Sequence, residues 1–320
     1  MGGLPSLAQR KDSPVEKLLR RFILFLSGSP ISRWVAMRFP PTRKVARRFV
    51  AGETLDDALA VTRTLRAEGF LVSLDLLGEN VDGLGEATAA TQEVLRSVEA
   101  LKSAGLVSNI SVKLTQLGLD ESVEVARANL RSIAEATAGS GMVVRVDMEG
   151  SAYTEVTISM VSELHREFPH LATVLQSYLL RTIDDVSRLN REGVAVRICK
   201  GAYAEPAEIA FQEKAAVDEA YLRAAEELLS QGNYPAIATH DEKMIQGVLE
   251  IVRRLGLGPD QFEFQMLYGI RQDRQRQLLQ DGWKVRLYLP YGSSWYPYFM
   301  RRLAERPANL WFLLTALLRG

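Results

Sequence analysis

Near the end of the chain, the stretch SSWYPYFMRRLAERPAN (residues 293–309) sets Tyr298 three and four residues before the adjacent arginines Arg301 and Arg302. Positions i, i+3 and i+4 share one face of a helix. A helix here would turn one phenol and two guanidinium forks toward a common point. Paired forks suit a carboxylate or a phosphate, which they hold through parallel, charge-assisted hydrogen bonds. A solvated helix face with ordinary surface arginines has the same spacing, so the elements around this stretch must decide between the two.

Those elements read as eight short apolar or alternating runs: FLVSLDLL (70–77), NISVKLTQ (109–116), MVVRVDME (142–149), TVLQSYL (173–179), VAVRICKG (194–201), AIATHD (236–241), FEFQML (262–267) and KVRLYLP (284–290). Helix-like stretches such as TAATQEVLRSVEALKSAG and DEKMIQGVLEIVRRLG lie between them, several ending in glycine as helix C-termini often do. Eight strands alternating with helices predict a parallel sheet closed into an α/β (β/α)8 barrel, a TIM-type barrel. Residues 1–60 read as an N-terminal helical arm, and 61–320 as a single barrel domain.

A strand sends successive side chains to opposite faces. In the second run Ile110, Val112 and Leu114 form one face, while Asn109, Ser111, Lys113 and Thr115 form the other. The same parity sets Asp75, Arg145, Asp147, Gln176, Arg197, His240, Glu263, Gln265, Arg286 and Tyr288 on one common side of their strands. Barrels usually fill their interiors with branched apolar side chains. Buried charges cost several kcal/mol each unless paired, so a polar lining needs a reason. A structural salt-bridge network would supply one, and so would a polar cavity at the C-terminal mouth, where barrel enzymes place their chemistry. Lys113, Asp147, Gln176, Arg197, His240 and Tyr288 fall late in their strands, on that side. The stretch after the last strand then begins a helix that could lean over the mouth, giving an anion site for a small molecule.

The bulk numbers narrow the class. The chain has 320 residues, 47% of them hydrophobic, with 39 Lys and Arg balanced by 39 Asp and Glu. Balanced charge gives no electrostatic case for nucleic acid. One cysteine, Cys199, excludes a disulfide framework and reads as packing; three histidines without ligand spacing give no metal site. FILFLSG (22–28) is too short to span a bilayer, but it is flanked by KLLRR and RWVAMRF, and NLWFLLTALLRG closes the chain. Such ends suit packing on the body of the protein or peripheral contact with a membrane surface. The expected compartment is the cytoplasm, including the inner face of a membrane.

Taken together, RICKGAY (197–203), ATHD (238–241), FEFQMLYGIR (262–271) and YLPYGSSWYPYFMRRLAERPAN (288–309) resemble the proline dehydrogenase family, and SVKLTQLG (111–118) and RVDMEGS (145–151) fit it as well. The resemblance runs over roughly residues 60–310 and is closest to the monofunctional bacterial type. It implies a distorted barrel with the eighth helix above its mouth, and FAD-dependent oxidation of L-proline to Δ1-pyrroline-5-carboxylate. Hydride would pass from C5 of the ring to flavin N5 and electrons onward to a membrane quinone, with a separate pyrroline-5-carboxylate dehydrogenase consuming the product. By the same resemblance Arg301, Arg302 and Lys113 hold the proline carboxylate, and Asp147 orients one of the arginines. Tyr203, Leu267, Tyr288 and Tyr298 wall the substrate ring. Arg197 and Gln176 lie at the reactive face and edge of the flavin, and Met148, Lys200, Gly201, Ala202, Thr239 and His240 line the rest of the FAD site.

Two other classes fit parts of the pattern. Lys113 and Lys200 at strand ends would suit a Schiff-base lyase or aldolase, and apolar ends on a barrel would suit a non-catalytic binding module. Bound flavin distinguishes the first, and dye reduction with an imino acid the second.

Overall fold

The computed structural model describes residues 46–78, 81 and 83–305, with residues 301–305 described by their backbone alone. The amphipathic basic segment and the apolar C-terminal run of the sequence lie outside the described residues.

Eight parallel strands close in sequence order: β1 Leu71–Leu76, β2 Asn109–Val112, β3 Val144–Val146, β4 Leu171–Gln176, β5 Val196–Cys199, β6 Ala236–Ala238, β7 Glu263–Leu267 and β8 Val285–Tyr291. β8 pairs back onto β1, with Leu71 opposite Arg286 and Leu76 opposite Tyr291. Helix α1 (Leu55–Ala67) precedes the barrel. α2 (Leu84–Ser103), α3 (Val123–Thr137), α4 (Thr154–His165), α5 (Thr182–Glu192), α6 (Lys214–Gln231), α7 (Glu242–Leu255), α8 (Gln272–Gln280) and α9 (Trp295–Glu305) follow the strands in turn. The expected (β/α)8 architecture is therefore present. α1 opens on a capping box, in which Thr54 Oγ1 accepts from the Asp57 N–H while Asp57 caps the Thr54 N–H. This helix runs through residues 60 and 61, where the sequence reading divides arm from barrel.

The hydrophobic core lies between the sheet and the helices. Outward-facing strand residues such as Val72, Leu74, Ile110, Val112, Val144, Val146, Ile198 and Leu287 are buried there against Val98, Leu130, Ile158, Val248 and others. The inward faces are polar, as the alternation predicts. At the deep end Glu263 takes two hydrogen bonds from Arg286, Nε to Oε1 at 2.7 Å and Nη2 to Oε2 at 2.9 Å, and Arg286 Nη1 donates to the Val72 carbonyl. Arg145 is buried beside them and donates from Nη1 to the Thr173 and Ala195 carbonyls. Burial, with the nearby charge of Arg197, pushes the Arg145 guanidinium down to about 9. Ser73 and Ser111 hydroxyls meet at 3.1 Å above this layer. A floor built this way is closed by charge pairing and hydrogen bonds instead of branched apolar side chains.

α9 does not pack as an ordinary outer helix. Trp295 Nε1 donates to Glu53, and Phe299 lies 6.1 Å from the Phe49 ring. The segment it rests on is tied to the C-terminal end of β8, by the Ala51 N–H to the Pro290 carbonyl and the Gly292 N–H to the Gly52 carbonyl. Trp295, Tyr296, Tyr298, Phe299 and Met300 are all buried. Among the described residues no helix is long and apolar enough to cross a membrane.

Candidate active site

The ends of β1, β2, β3, β5 and β8 bring five side chains together in the C-terminal mouth. Lys113 Nζ donates to Asp75 Oδ1 at 3.0 Å and lies 3.5 Å from Asp147 Oδ2 and 3.4 Å from Tyr288 Oη. Arg197 Nη1 donates to Asp147 Oδ1 at 2.8 Å, and Nη2 reaches Ser111 Oγ at 3.4 Å. Arg197 Nε donates to Gln265. Tyr288 Oη donates to Asp147 Oδ2 at 2.6 Å, and the Arg197 guanidinium carbon sits 5.2 Å from the Tyr288 ring centre. Asp147 is thus the hub. Burial, reinforced by the negative charge of Asp147, holds the Tyr288 phenol well above its ordinary value, so it remains a donor.

The strands explain this convergence. Asp147 follows β3 with the inward parity of Arg145, and its N–H donates to the Val112 carbonyl at 2.8 Å, which fixes the carboxylate beside Lys113. Two residues further along, Glu149 takes the next inward position and accepts from the Thr115 N–H at 3.2 Å and hydroxyl at 2.6 Å. Gln176 Nε2 donates to the Glu149 carbonyl at 2.9 Å, placing its side chain over the β3–β4 side of the mouth.

A second group occupies the rim after β5 and β6. Lys200 bridges Asp218 and Asp241, the latter at 2.8 Å, and Lys214 approaches Asp218 at 2.6 Å. Burial pushes the carboxyls of Asp218 and Asp241 up, yet hydrogen bonding and attraction from Lys200 outweigh it and hold both below the ordinary value. Thr239 Oγ1 accepts from the Asp241 N–H at 3.1 Å. His240 Nε2 accepts from the Leu267 N–H at 2.9 Å, which in the neutral imidazole leaves the ring proton on Nδ1.

The remaining expected site residues fall into four groups. Met148 packs in the hydrophobic core. Gly201 has φ +112°, and a Cβ there would stand 2.2 Å from the Tyr178 ring, so the missing side chain makes room for that ring. Ala202 and Tyr203 are exposed in the loop after β5, Tyr203 at 45%. Tyr298 is buried on α9, whose backbone carries Arg301 and Arg302; the side chains of these two lie outside the described residues. Asp147 therefore meets Arg197 and Lys113 among the described residues. The sequence reading did not single out Asp75, Gln265 and Glu149 as site residues, although strand parity already placed the first two on the polar side. Burial pushes the Cys199 thiol up to about 11, and it packs against the core, as expected for a packing cysteine.

Comparison with known proteins gives this mouth a family. The proline dehydrogenase family model matches residues 58–314. A proline dehydrogenase from Deinococcus radiodurans is 40% identical over 311 residues, covering 96% of this chain and all of that protein. Proline dehydrogenase 1 of Bacillus subtilis subsp. natto is 39% identical over 302 residues, covering 94% of this chain and all of its own length. The crystal structure of proline utilization A from Bdellovibrio bacteriovorus, inactivated by N-propargylglycine, superposes with a TM-score of 0.79 at 26% identity, covering 91% of this chain and 37% of that one. The chain belongs to the proline dehydrogenase family, as an oxidoreductase of the monofunctional type acting at the first step of proline catabolism.

Proposed function

We propose that this chain oxidises L-proline to Δ1-pyrroline-5-carboxylate with FAD, in the polar mouth of the barrel beneath α9. The observation that supports this most is the Asp147 hub, which holds two cations and a phenol in fixed positions at the end of the barrel where such enzymes place their chemistry.

The substrate is a small zwitterion. Its carboxylate needs cations, and Lys113 with the Arg301 and Arg302 forks of α9 supplies them in this reading. Asp147 and Asp75 balance and aim Lys113, so that it presents N–H donors in one direction. Tyr288 and Tyr298, with Leu267 and Tyr203, bound the ring and exclude water from C5. The ring nitrogen gives up its extra proton before or during loss of hydride from C5. FAD, when bound, supplies the two-electron acceptor, its N5 taking that hydride.

The donor set fits such a group. Arg197, Lys200, the Gln176 amide, the Thr239 hydroxyl and the His240 Nδ1–H stand at the ends of β4 to β6, and they are mostly donors, as an acceptor-rich ring system and two phosphates require. Arg197 would hold positive charge where the cofactor gains negative charge. Gly201, Ala202 and Met148 would contribute backbone to the same site.

In this reading electrons leave to a membrane quinone, and a separate pyrroline-5-carboxylate dehydrogenase consumes the product. Residues 61–320 form the catalytic domain, and residues 1–60 an arm that gives cytoplasmic protein its peripheral contact with the membrane. The deciding experiment is a visible spectrum of purified protein followed by anaerobic L-proline. A flavin spectrum that bleaches supports the reading. A colourless protein that traps a carbonyl substrate on Lys113 or Lys200 with borohydride overturns it in favour of Schiff-base chemistry.

A further inference from the structure

Arg197 stands on β5, yet its Nε donates to Gln265 on β7, across the intervening β6. The residues of β6 make that reach possible. In register, Ala236 is opposite both Arg197 and Glu263, and Ala238 is opposite Gln265. Both alanines have the inward parity, since Ile237 between them packs in the core between sheet and helices. Two small side chains on the intervening strand leave the gap that Arg197 spans.

The Gln265 amide is held at both ends. Its oxygen accepts from Arg197 Nε, and its Nε2 donates to Glu263 Oε1. This orientation is forced, because a guanidinium has no acceptor and a carboxylate has no donor. Glu263 is fixed in turn by two hydrogen bonds from Arg286. Gln265 and Glu263 are both buried, so bulk water does not compete for these bonds. A chain of hydrogen bonds therefore runs from Arg286 at the floor, through Glu263 and Gln265, to Arg197 at the mouth. The upper end depends on it. Arg197 Nη1 meets Asp147 at 2.8 Å, but Nη2 reaches Ser111 only at 3.4 Å. One short contact leaves a guanidinium free to pivot about it, and a second at Nε fixes its plane.

We propose that Gln265 is a positioning residue for the oxidation: anchored through Glu263 and Arg286, it sets the plane of the Arg197 guanidinium without adding negative charge beside it. The proposal rests on the reading of Arg197 as the cation beside the flavin. Neutrality matters as much as geometry here. Arg197 already faces the Asp147 carboxylate, so a second carboxylate at position 265 would cancel the positive charge left to stabilise a reduced cofactor. It would also face Glu263 across the same buried space. A primary amide avoids both, because it accepts at one end and donates at the other while carrying no charge.

The test compares full-length, flavin-loaded wild type with Gln265→Met and Gln265→Glu. It reads the urea unfolding midpoint, the midpoint potential of the bound flavin, and the anaerobic reduction of the flavin at a series of L-proline concentrations. Gln265→Met keeps the length and removes the acceptor. Its limiting reduction rate should fall about tenfold, while the L-proline concentration at half-maximal rate changes by less than about twofold. Its flavin potential should become about 30 mV more negative, the equivalent of tenfold weaker relative binding of the reduced form in a two-electron couple. Gln265→Glu keeps an acceptor for Arg197 and adds a charge, so its potential should fall further. If one variant does not fold or hold flavin, the other carries the test. A folded, flavin-loaded variant with the wild-type potential and limiting rate overturns the role of Gln265 alone, and a urea midpoint that falls while the potential stays leaves it a structural residue. A wild type that holds no flavin, or whose flavin L-proline does not bleach, overturns the proposed function and this role with it.

Discussion

Asp147 and Arg197 face each other across the barrel interior, Oδ1 to Nη1 at 2.8 Å, and both are buried. The other carboxylate oxygen of Asp147 accepts from Tyr288 and lies within reach of Lys113. One carboxylate therefore positions a guanidinium, an ammonium and a phenol that come from three different strand ends.

Replacing Asp147 should be felt by all three. Asp147→Asn keeps the shape and leaves two buried cations with less negative charge. We expect a loss of about 10- to 100-fold in kcat/KM for L-proline, and a drop of about 3–5 kcal/mol in stability if the charge is removed entirely by Asp147→Ala. Proline titration of flavin reduction and urea unfolding measure the two effects separately. Wild-type kinetics in both variants would remove Asp147 from the site.

Arg301→Met and Arg302→Met should act on the substrate far more than on the fold. Losing one fork from a charge-assisted carboxylate clamp is worth about 2–4 kcal/mol, or on the order of 30- to 1000-fold in kcat/KM, expressed mainly in KM. Thermal melts should move little in comparison. Steady-state kinetics that do not change in either variant would return these residues to an ordinary helix face.

The deep Glu263–Arg286 pair sets a pH dependence. Burial pushes the Glu263 carboxyl up, but Arg286 more than offsets this and holds it below the ordinary 4.5. A carboxylate with a depressed folded value contributes stability above 4.5 and loses it as the pH falls through the folded value. Urea midpoints of the wild type should therefore decline below that pH. Glu263→Gln alone should cost about 3–5 kcal/mol at neutral pH, because Arg286 remains buried without its charge partner. The double variant Glu263→Met, Arg286→Met should be neutral to stabilising at neutral pH, with a shallower decline in acid. An equally steep acid decline in the double variant would assign that dependence to other carboxylates.

Gly269 and Gly256 make a contrast that needs no ligand. Both have positive φ, +76° and +67°. A Cβ on Gly256 meets nothing within 4 Å, so Gly256→Ala should cost only backbone strain, about 1–2 kcal/mol. A Cβ on Gly269 would stand 1.7 Å from the Arg48 carbonyl oxygen, so Gly269→Ala must displace the segment that carries Phe49, on which α9 rests. It should destabilise by several kcal/mol and raise the KM for L-proline, which Gly256→Ala should not. Equal effects of the two substitutions in denaturant melts would show that the 46–50 segment yields freely.

Much of this molecule was legible from alternation and spacing. Period-two patterning in eight runs is enough to predict the closed barrel, because each strand must bury one face under helices, and inward parity then collects Asp75, Lys113, Asp147, Arg197, Gln265, Arg286 and Tyr288 without reference to coordinates. The i+3 and i+4 spacing after Tyr298 led to the proposed clamp in the same way, while the side chains of Arg301 and Arg302 lie outside the described residues. Pairing was decided only by tertiary structure. Parity says that Asp147 points inward, but which cation it meets depends on strand stagger and tilt, and these set Arg197 at 2.8 Å and Lys113 at 3.5 Å. Side chains on the outer faces also escaped the pattern. Met148 packs in the core beside Asp147, and Gly201 is small because the Tyr178 ring lies against it. Local sequence sets the face toward which a side chain points; what waits there is contributed by residues far away in the chain, brought close by closure of the barrel.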